Sequence, residues 1–259
     1  MSAEDAGFDL ARAGSAIRAP DVIVAVTACT TAEAVVAAVD ALTTACRERA
    51  TPLRAVLVHP DTVALGLAAP RLAGETVTLE ACHVSASGRI PLSPSVASDL
   101  LHPLSTVCAR TGARACAIVG TAMEGVTPEA IQALLTPLVD DDIDLVCATY
   151  PRHRFDGLIN SGVVYPLTRA LYGRRVDGQL GVDFGFSTRL ITAISTGHSA
   201  SRGRRPVWPV SEAVARNMSI AQARLDRWLP PMAPAVDAGT ALTEVLGSLF
   251  ADVEHHAAV

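Results

Sequence analysis

Short apolar runs alternate with longer segments whose apolar positions recur every three or four residues. Asp21–Val26, Ala55–Val58, Arg114–Val119 and Ile143–Thr149 are almost wholly apolar, which predicts strands covered on both faces. Thr76–Val84 alternates through Val77 and Leu79 and predicts a further strand between the second and third of these runs. Between the strands, Thr31–Arg49 carries Val35, Val36, Val39 and Leu42 at helical spacing. Pro94–Arg110 predicts a helix closed by Gly112, and residues 128–139 predict another. Its start is well marked: Thr127 supplies a capping oxygen, Pro128 suits the first turn and Glu129 suits the positive end of the dipole. This order implies an α/β fold with a mainly parallel, doubly wound sheet and crossover helices.

The second half is less regular. Phe155–Gly173 has a helical pattern interrupted by Pro166. The segment from Gln179 to Phe186 is rich in glycine, Ser187 opens a further helix, and residues 217–226 suggest a strand. Pro230, Pro231 and Pro234 break the chain before a final helix, Ala238–His256. That helix puts Leu242, Val245, Leu246, Leu249, Phe250 and Val253 on one face, as core or as a dimer seam. The expected organisation is a flexible segment 1–20 and one domain over 21–259, in two halves, 21–149 and 150–259.

Composition narrows the chemistry. Half of the 259 residues are apolar and 4% are aromatic, so the core must consist mostly of Ala, Val, Leu and Ile. All 21 basic residues are Arg, which removes Schiff-base lysines, phosphate-loop lysines and lysine general bases. A net charge of −5 argues against a general nucleic-acid binder. The six cysteines form no Cys-x-x-Cys and sit mostly in apolar runs, as small buried hydrophobes of a reducing compartment do, not as a zinc site. Residues 1–20 lack the apolar core of a secretory signal, and no apolar run reaches the ~18 residues of a membrane helix. A cytoplasmic protein is expected.

Polar clusters are read conservatively. Asp140-Asp141-Asp142 and Asp144 lie between a helix and a strand, away from the edge where α/β ligands bind, and are read as a solvated turn. His198, His255 and His256 show no metal-type spacing and are read as surface. Arg202, Arg204 and Arg205 belong to a basic surface loop, residues 198–206.

The block 150–187, YPRHRFDGLINSGVVYPLTRALYGRRVDGQLGVDFGFS, carries more. It resembles the central segment of GT-A-fold glycosyltransferases related to family 2 and to mannosylglycerate synthase. The matching residues are Arg152, Asp156, Gly157, Pro166, Leu167, Leu171, Tyr172, Gly173, Arg174, Gln179, Gly181, Asp183, Phe184, Gly185, Phe186 and Ser187. The resemblance spans roughly residues 20–256 and is specific over 116–190. It implies a nucleotide-binding half over 21–149, an acceptor-side half with the C-terminal helix over 150–259, a nucleotide-diphosphate-sugar ligand and a divalent metal on an Asp-x-Asp. It also implies an acid at Asp183 that orients or deprotonates an acceptor hydroxyl.

Carried over position by position, the resemblance is uneven. Gly120-Thr121-Ala122 occupies the place of the Asp-x-Asp, with both carboxylates missing; Glu124, just beyond, is the one nearby acid available to substitute for it in holding Mg or Mn. The nucleotide-side positions retain Asp61 and, in place of a Gly-Lys-Gly loop, Gly88-Arg89. Candidate substrate-binding residues are therefore Arg152, His153, Arg154, Asp156, Gln179, Gly181, Asp61, Arg89 and Thr121, with Asp183 as the catalytic candidate and no confident metal ligand. The two arginines after the fifth strand offer bidentate phosphate binding in place of a metal. The implied function is a glycosyltransferase-like binder of a nucleotide sugar or sugar phosphate whose metal-dependent transfer is weak or absent. The alternatives are a non-catalytic homologue serving as a dimer partner, of itself or of a paralogue, or as a ligand sensor, and a metal-independent enzyme on an anionic substrate.

Overall fold

The apolar runs assemble into a single seven-stranded sheet. The computed structural model describes residues 20–26, 31–59, 62–69, 77–81, 98–119, 126–151, 157–181, 183–197, 209–226 and 238–257. Strands β1 (Val22–Val26), β2 (Ala55–His59), β3 (Val77–Ala81), β4 (Ala115–Val119), β5 (Leu145–Thr149), β6 (Asp183–Ser187) and β7 (Ile220–Arg224) lie in the order β3-β2-β1-β4-β6-β5-β7. The described helices are α1 (Ala32–Arg47), α2 (Thr62–Ala68), α3 (Ser98–Thr111), α4 (Pro128–Asp140), α5 (Tyr165–Tyr172), α6 (Thr188–Gly197), α7 (Pro209–Ala215) and α8 (Ala238–His256). Segment 1–19, loop 198–206 and the prolines 230, 231 and 234 lie outside the described residues.

Alternation within each strand sorts the core into two layers. Val22, Val24 and Val26 of β1 join Val35, Val39 and Leu42 of α1 and Ile131, Leu134, Leu135 and Leu138 of α4. Ile23 and Ala25 point the other way, into Leu101, Leu104 and Cys108 of α3 and Leu190, Ile191 and Ile194 of α6. Both faces are covered, which is why every residue of β1, β2 and β4 is buried. The caps form as the sequence predicts. The Thr31 hydroxyl accepts from the Ala34 amide (3.3 Å) and the Thr127 hydroxyl from the Ala130 amide (3.2 Å).

The sheet is mixed, and the exception is β6. It pairs antiparallel with both β4 and β5, while β1–β2, β1–β4, β2–β3 and β5–β7 are parallel. A parallel strand must be re-entered from the edge where its neighbour began. After β5 the chain makes α5, and the loop that follows delivers it to the sheet at the edge where β4 and β5 end; from there it can only run backwards. The glycine-rich reading of 179–186 thus needs correcting, because Asp183–Ser187 is a fully buried strand. Its Gly185 is a packing glycine. A Cβ there would lie 2.7 Å from Leu138 Cδ1 and 3.1 Å from the Leu134 carbonyl oxygen, so its absence lets α4 settle directly on β6.

The helix read over 155–173 is divided. A π-helical turn, Asn160–Val164, precedes α5, and its wider winding makes room for Pro166, whose ring would otherwise press on the carbonyl four residues back. Gly173 closes α5 at φ 65°. In α8, Val245 and Leu249 are buried with Val164, against which Ile159, Leu167 and Leu180 also pack. That face is therefore core of this chain, although Phe250 is half exposed.

Asp144 also departs from its expected place. Asp140, Asp141 and Asp142 are exposed, but Asp144 is buried and joins three elements. Its Oδ1 accepts from Ser187 Oγ (2.8 Å) and Arg189 Nε (3.0 Å), and its Oδ2 from the Ser219 amide (3.0 Å) and hydroxyl (3.1 Å). The second guanidinium nitrogen of Arg189 lies 2.7 Å from both oxygens, making the pair bidentate. Burial pushes this carboxyl up, but Arg189, the Ser219 amide and the two hydroxyls outweigh it and hold the pKa below the ordinary value.

A pKa lower in the folded than in the unfolded chain stabilises fully above the unfolded value of about 3.9 and is lost as pH falls through the folded one. Asp144→Asn should lower the unfolding free energy by on the order of 2 kcal/mol near neutral pH. In urea titrations over a pH series, the gap between wild type and variant should close below about pH 3.9; a gap that persists in acid would contradict the assignment.

Candidate functional site

In an open α/β sheet, ligands collect where the strand order reverses, beyond the strands' carboxyl ends. Here that point lies between β1 and β4, and residues 27–30 and 120–125 follow those two strands in sequence. Both segments are outside the described residues, as are Asp61, Arg89, Thr121, Glu124, Arg152, His153, Arg154 and Asp156. Of the residues singled out from sequence as catalytic or substrate-binding, Asp183, Gln179 and Gly181 are described.

Reversal of β6 brings Asp183 to this edge. It is the first residue of the strand, is fully buried and lies opposite Val119, the last residue of β4. In a parallel strand the same position would have fallen at the opposite edge. Tyr150, the residue after β5, donates its phenol hydrogen bond to Asp183 Oδ2. Sequence reasoning did not select Tyr150; its position directly after a buried strand was the available signal. The bond fixes the plane of a carboxylate that has been withdrawn from bulk water.

The loop leading into β6 is tightly tied. Gly178 has φ +70° and lies so close to β5 that a Cβ would fall 2.2 Å from the Ala148 carbonyl oxygen. The Gly181 amide donates to the Gly178 carbonyl (2.9 Å), and a Cβ on Gly181 would meet that oxygen at 2.8 Å. These two positions require glycine, one for its backbone conformation and both for the close approach. Gln179 is buried between them. Its Nε2 donates to Thr168 Oγ1 (2.7 Å) and to the Val176 carbonyl (2.8 Å), and its Oε1 accepts no hydrogen bond from the described residues. Asn160 Oδ1 accepts from the Leu180 amide (3.4 Å), and Gln222 Oε1 from the Asp177 amide (2.6 Å). The loop is thus held by α5, the π turn and β7.

A second ionisable group lies between α5, α7 and α8. Glu212 is fully buried and forms an ion pair with Arg216 one turn later. His256 Nε2 is 3.4 Å from Glu212 Oε1 and 3.6 Å from Asp252 Oδ1. Tyr172 donates to Asp252 Oδ2 (3.3 Å). The Glu212 carboxylate raises the pKa of His256 against the opposing pull of burial, and burial raises that of Asp252. Burial also pushes the Tyr172 phenol out of its ordinary range, with the Asp252 charge adding to it. The reading of His256 as a surface residue is corrected, since its side chain is 9% exposed and packed between two carboxylates. Helical spacing within α8 identifies Asp252 and His256 as neighbours, but nothing in the sequence brings Glu212 to them.

No known family profile matches the chain, and no curated protein is similar to it at the sequence level. Solved structures do match in fold. Glucosyl-3-phosphoglycerate synthase from Mycobacterium tuberculosis, in complex with Mn2+, uridine diphosphate and phosphoglyceric acid, matches with TM-score 0.55 and 16% identity over 90% of this chain and 78% of that one. The same enzyme with Mg2+ and uridine diphosphate matches with TM-score 0.56 and 18% identity over 90% and 79%. A further mycobacterial protein matches with TM-score 0.53 and 17% identity over 90% and 74%. The fold is that of the GT-A glycosyltransferases. Among the described residues, no helix is long and apolar enough to cross a membrane.

Gly178→Ala should cost at least about 2 kcal/mol, from a left-handed backbone and a clash with a backbone oxygen. Denaturant unfolding measures this, and a variant as stable as wild type would show that the close approach to Ala148 is not required.

Proposed function

We propose that the chain binds a nucleotide-diphosphate sugar, or a related sugar phosphate, at the carboxyl edge of its sheet. The observation that carries the reading is Asp183. A strand reversed against its neighbours sets this buried carboxylate beside the end of β4, with Tyr150 holding one oxygen. A carboxylate so placed can accept from a sugar or acceptor hydroxyl and, if transfer occurs, take its proton. The fold supports a nucleotide-sugar ligand, since the matching synthase structures hold uridine diphosphate or its glucose ester.

Those structures also hold Mn2+ or Mg2+. The donor set of this chain does not suit the same arrangement. Among the described residues that end β1, β4 and β5 or begin β6, Asp183 is the one carboxylate, and Tyr150 already holds it. Gly120, Thr121 and Ala122, which follow β4, offer no carboxylate; Glu124 would have to act alone. Ligand binding therefore falls to this chain's own side chains. Arg152 and Arg154, which follow β5 in sequence, are the groups we assign to neutralise the diphosphate, with His153, Asp156, Asp61, Arg89 and Thr121 as further ligand contacts. Gln179 and Gly181 act through the loop they hold. Transfer, where it occurs, would be slow, because unassisted departure of a diphosphate leaves its charge to arginines alone.

Calorimetric titration with a panel of nucleotide sugars, with and without Mn2+, tests this reading. At least one nucleotide sugar should bind, and Mn2+ should change its affinity by less than about threefold. Asp183→Asn should weaken the nucleotide sugar by about fivefold while leaving the bare nucleoside diphosphate unchanged. Binding of no panel member would refute the ligand class. Tight, mutually dependent binding of metal and nucleotide would refute metal independence.

A further inference from the structure

Glu212, Asp252 and His256 form a cluster that the sugar-nucleotide reading does not use. His256 Nε2 is buried with its ring and points between two carboxylate oxygens, at 3.4 and 3.6 Å, and among the described residues no partner comes within good hydrogen-bonding geometry of it. Those separations are too long to serve a proton well. They are close to the edge of a coordination tetrahedron: bonds of about 2.0–2.1 Å set neighbouring donors about 3.3–3.4 Å apart. The three donor atoms all lie within 4.8 Å of one another.

The far side of each carboxylate is also provided for. Arg216 engages Glu212 through Oε2, and Oε1 faces His256. Tyr172 donates to Oδ2 of Asp252, and Oδ1 faces His256. Each acid thus has one oxygen held by a donor and the other turned towards His256, and Ser211 adds a further hydrogen bond to Asp252; outer partners orient the ligands of a metal in the same way. Asp252 and His256 are one helical turn apart, so α8 presents both to the same point, and α7 supplies the third donor.

We infer that Glu212, Asp252 and His256 bind a divalent transition-metal ion of the zinc type, tying α8 to α7. The donor set, one imidazole and two carboxylates, suits zinc better than magnesium or calcium, which take oxygen alone. The site lies on helices rather than at the carboxyl edge of the sheet, and it requires no nucleotide.

The test uses the full chain, stripped with chelator and titrated with Zn2+ against a chromogenic chelator in the absence of nucleotide. One equivalent should bind with a Kd below about 10 μM. Zinc-edge X-ray absorption on the wild-type protein should show one imidazole and oxygen donors at about 2.0–2.1 Å, without sulfur at about 2.3 Å. His256→Gln and Asp252→Asn should each weaken binding at least about tenfold. Failure of wild type to bind one equivalent, a sulfur-containing shell from the cysteines, or unchanged affinity in folded His256→Gln would overturn the inference. If the variants do not fold, the absorption spectrum of the wild type decides alone. Because no nucleotide is present, these outcomes are independent of the sugar-nucleotide titrations.

Discussion

The carboxylate of Asp144 fastens β6, which among the described strands is the one that runs against the sheet. Strand β6 lies between β4 and β5 and opposes both, so the local order of the sheet depends on what pins its ends. At one end, Ser187 and Arg189 reach Asp144, and Asp144 in turn holds Ser219 at the start of β7. One buried carboxylate thus fixes β5, β6 and β7 together. At the other end, Asp183 meets Tyr150. The two acids hold opposite ends of a five-residue strand: one fixes it to the frame and the other lies beside the end of β4. Gly185 between them admits α4, and the distance from anchor to candidate site is set by backbone alone.

That arrangement explains what could be read from the chain and what could not. The first half was legible because its strands are short, apolar and buried on both faces, and because Thr127-Pro128-Glu129 marks a helix start with three independent signals. The final helix was legible from its apolar face, and its limits agree with those observed. Strand β6 was missed because Asp-Phe-Gly-Phe-Ser carries an acid at one end and a glycine in the middle, both of which count against a strand when context is unknown. The context is Leu134 and Leu138 of α4, nearly fifty residues earlier. Helices α2 and α7, seven residues each, are too short for a periodic signal.

The same limit applies to the sites. Asp183 was selected through a resemblance, and its placement at the edge depends on a reversal that no local pattern encodes. Asp144 was dismissed with its exposed neighbours because a run of four nearby acids looks uniform, although burial separates the last from the others. His256 was dismissed because its partners lie four residues back and forty-four residues back, and the second of these is a tertiary fact. Local chemistry in a sequence is visible; the convergence of distant side chains is not.

The π turn at Asn160–Val164 has a bearing of its own. It spends one residue more than an α-helix needs over the same rise. Each residue of an α-helix turns the chain by about 100°, so a chain lacking the extra residue would present everything before it at a different azimuth. Asn160 would then be carried away from the Leu180 amide, and Ile159 from the apolar contact with Val245 and Leu249. The turn therefore sets the azimuth at which Asn160 meets the loop before β6 and Ile159 meets the apolar cluster of α8, so one extra residue in a helix fixes two contacts on different elements.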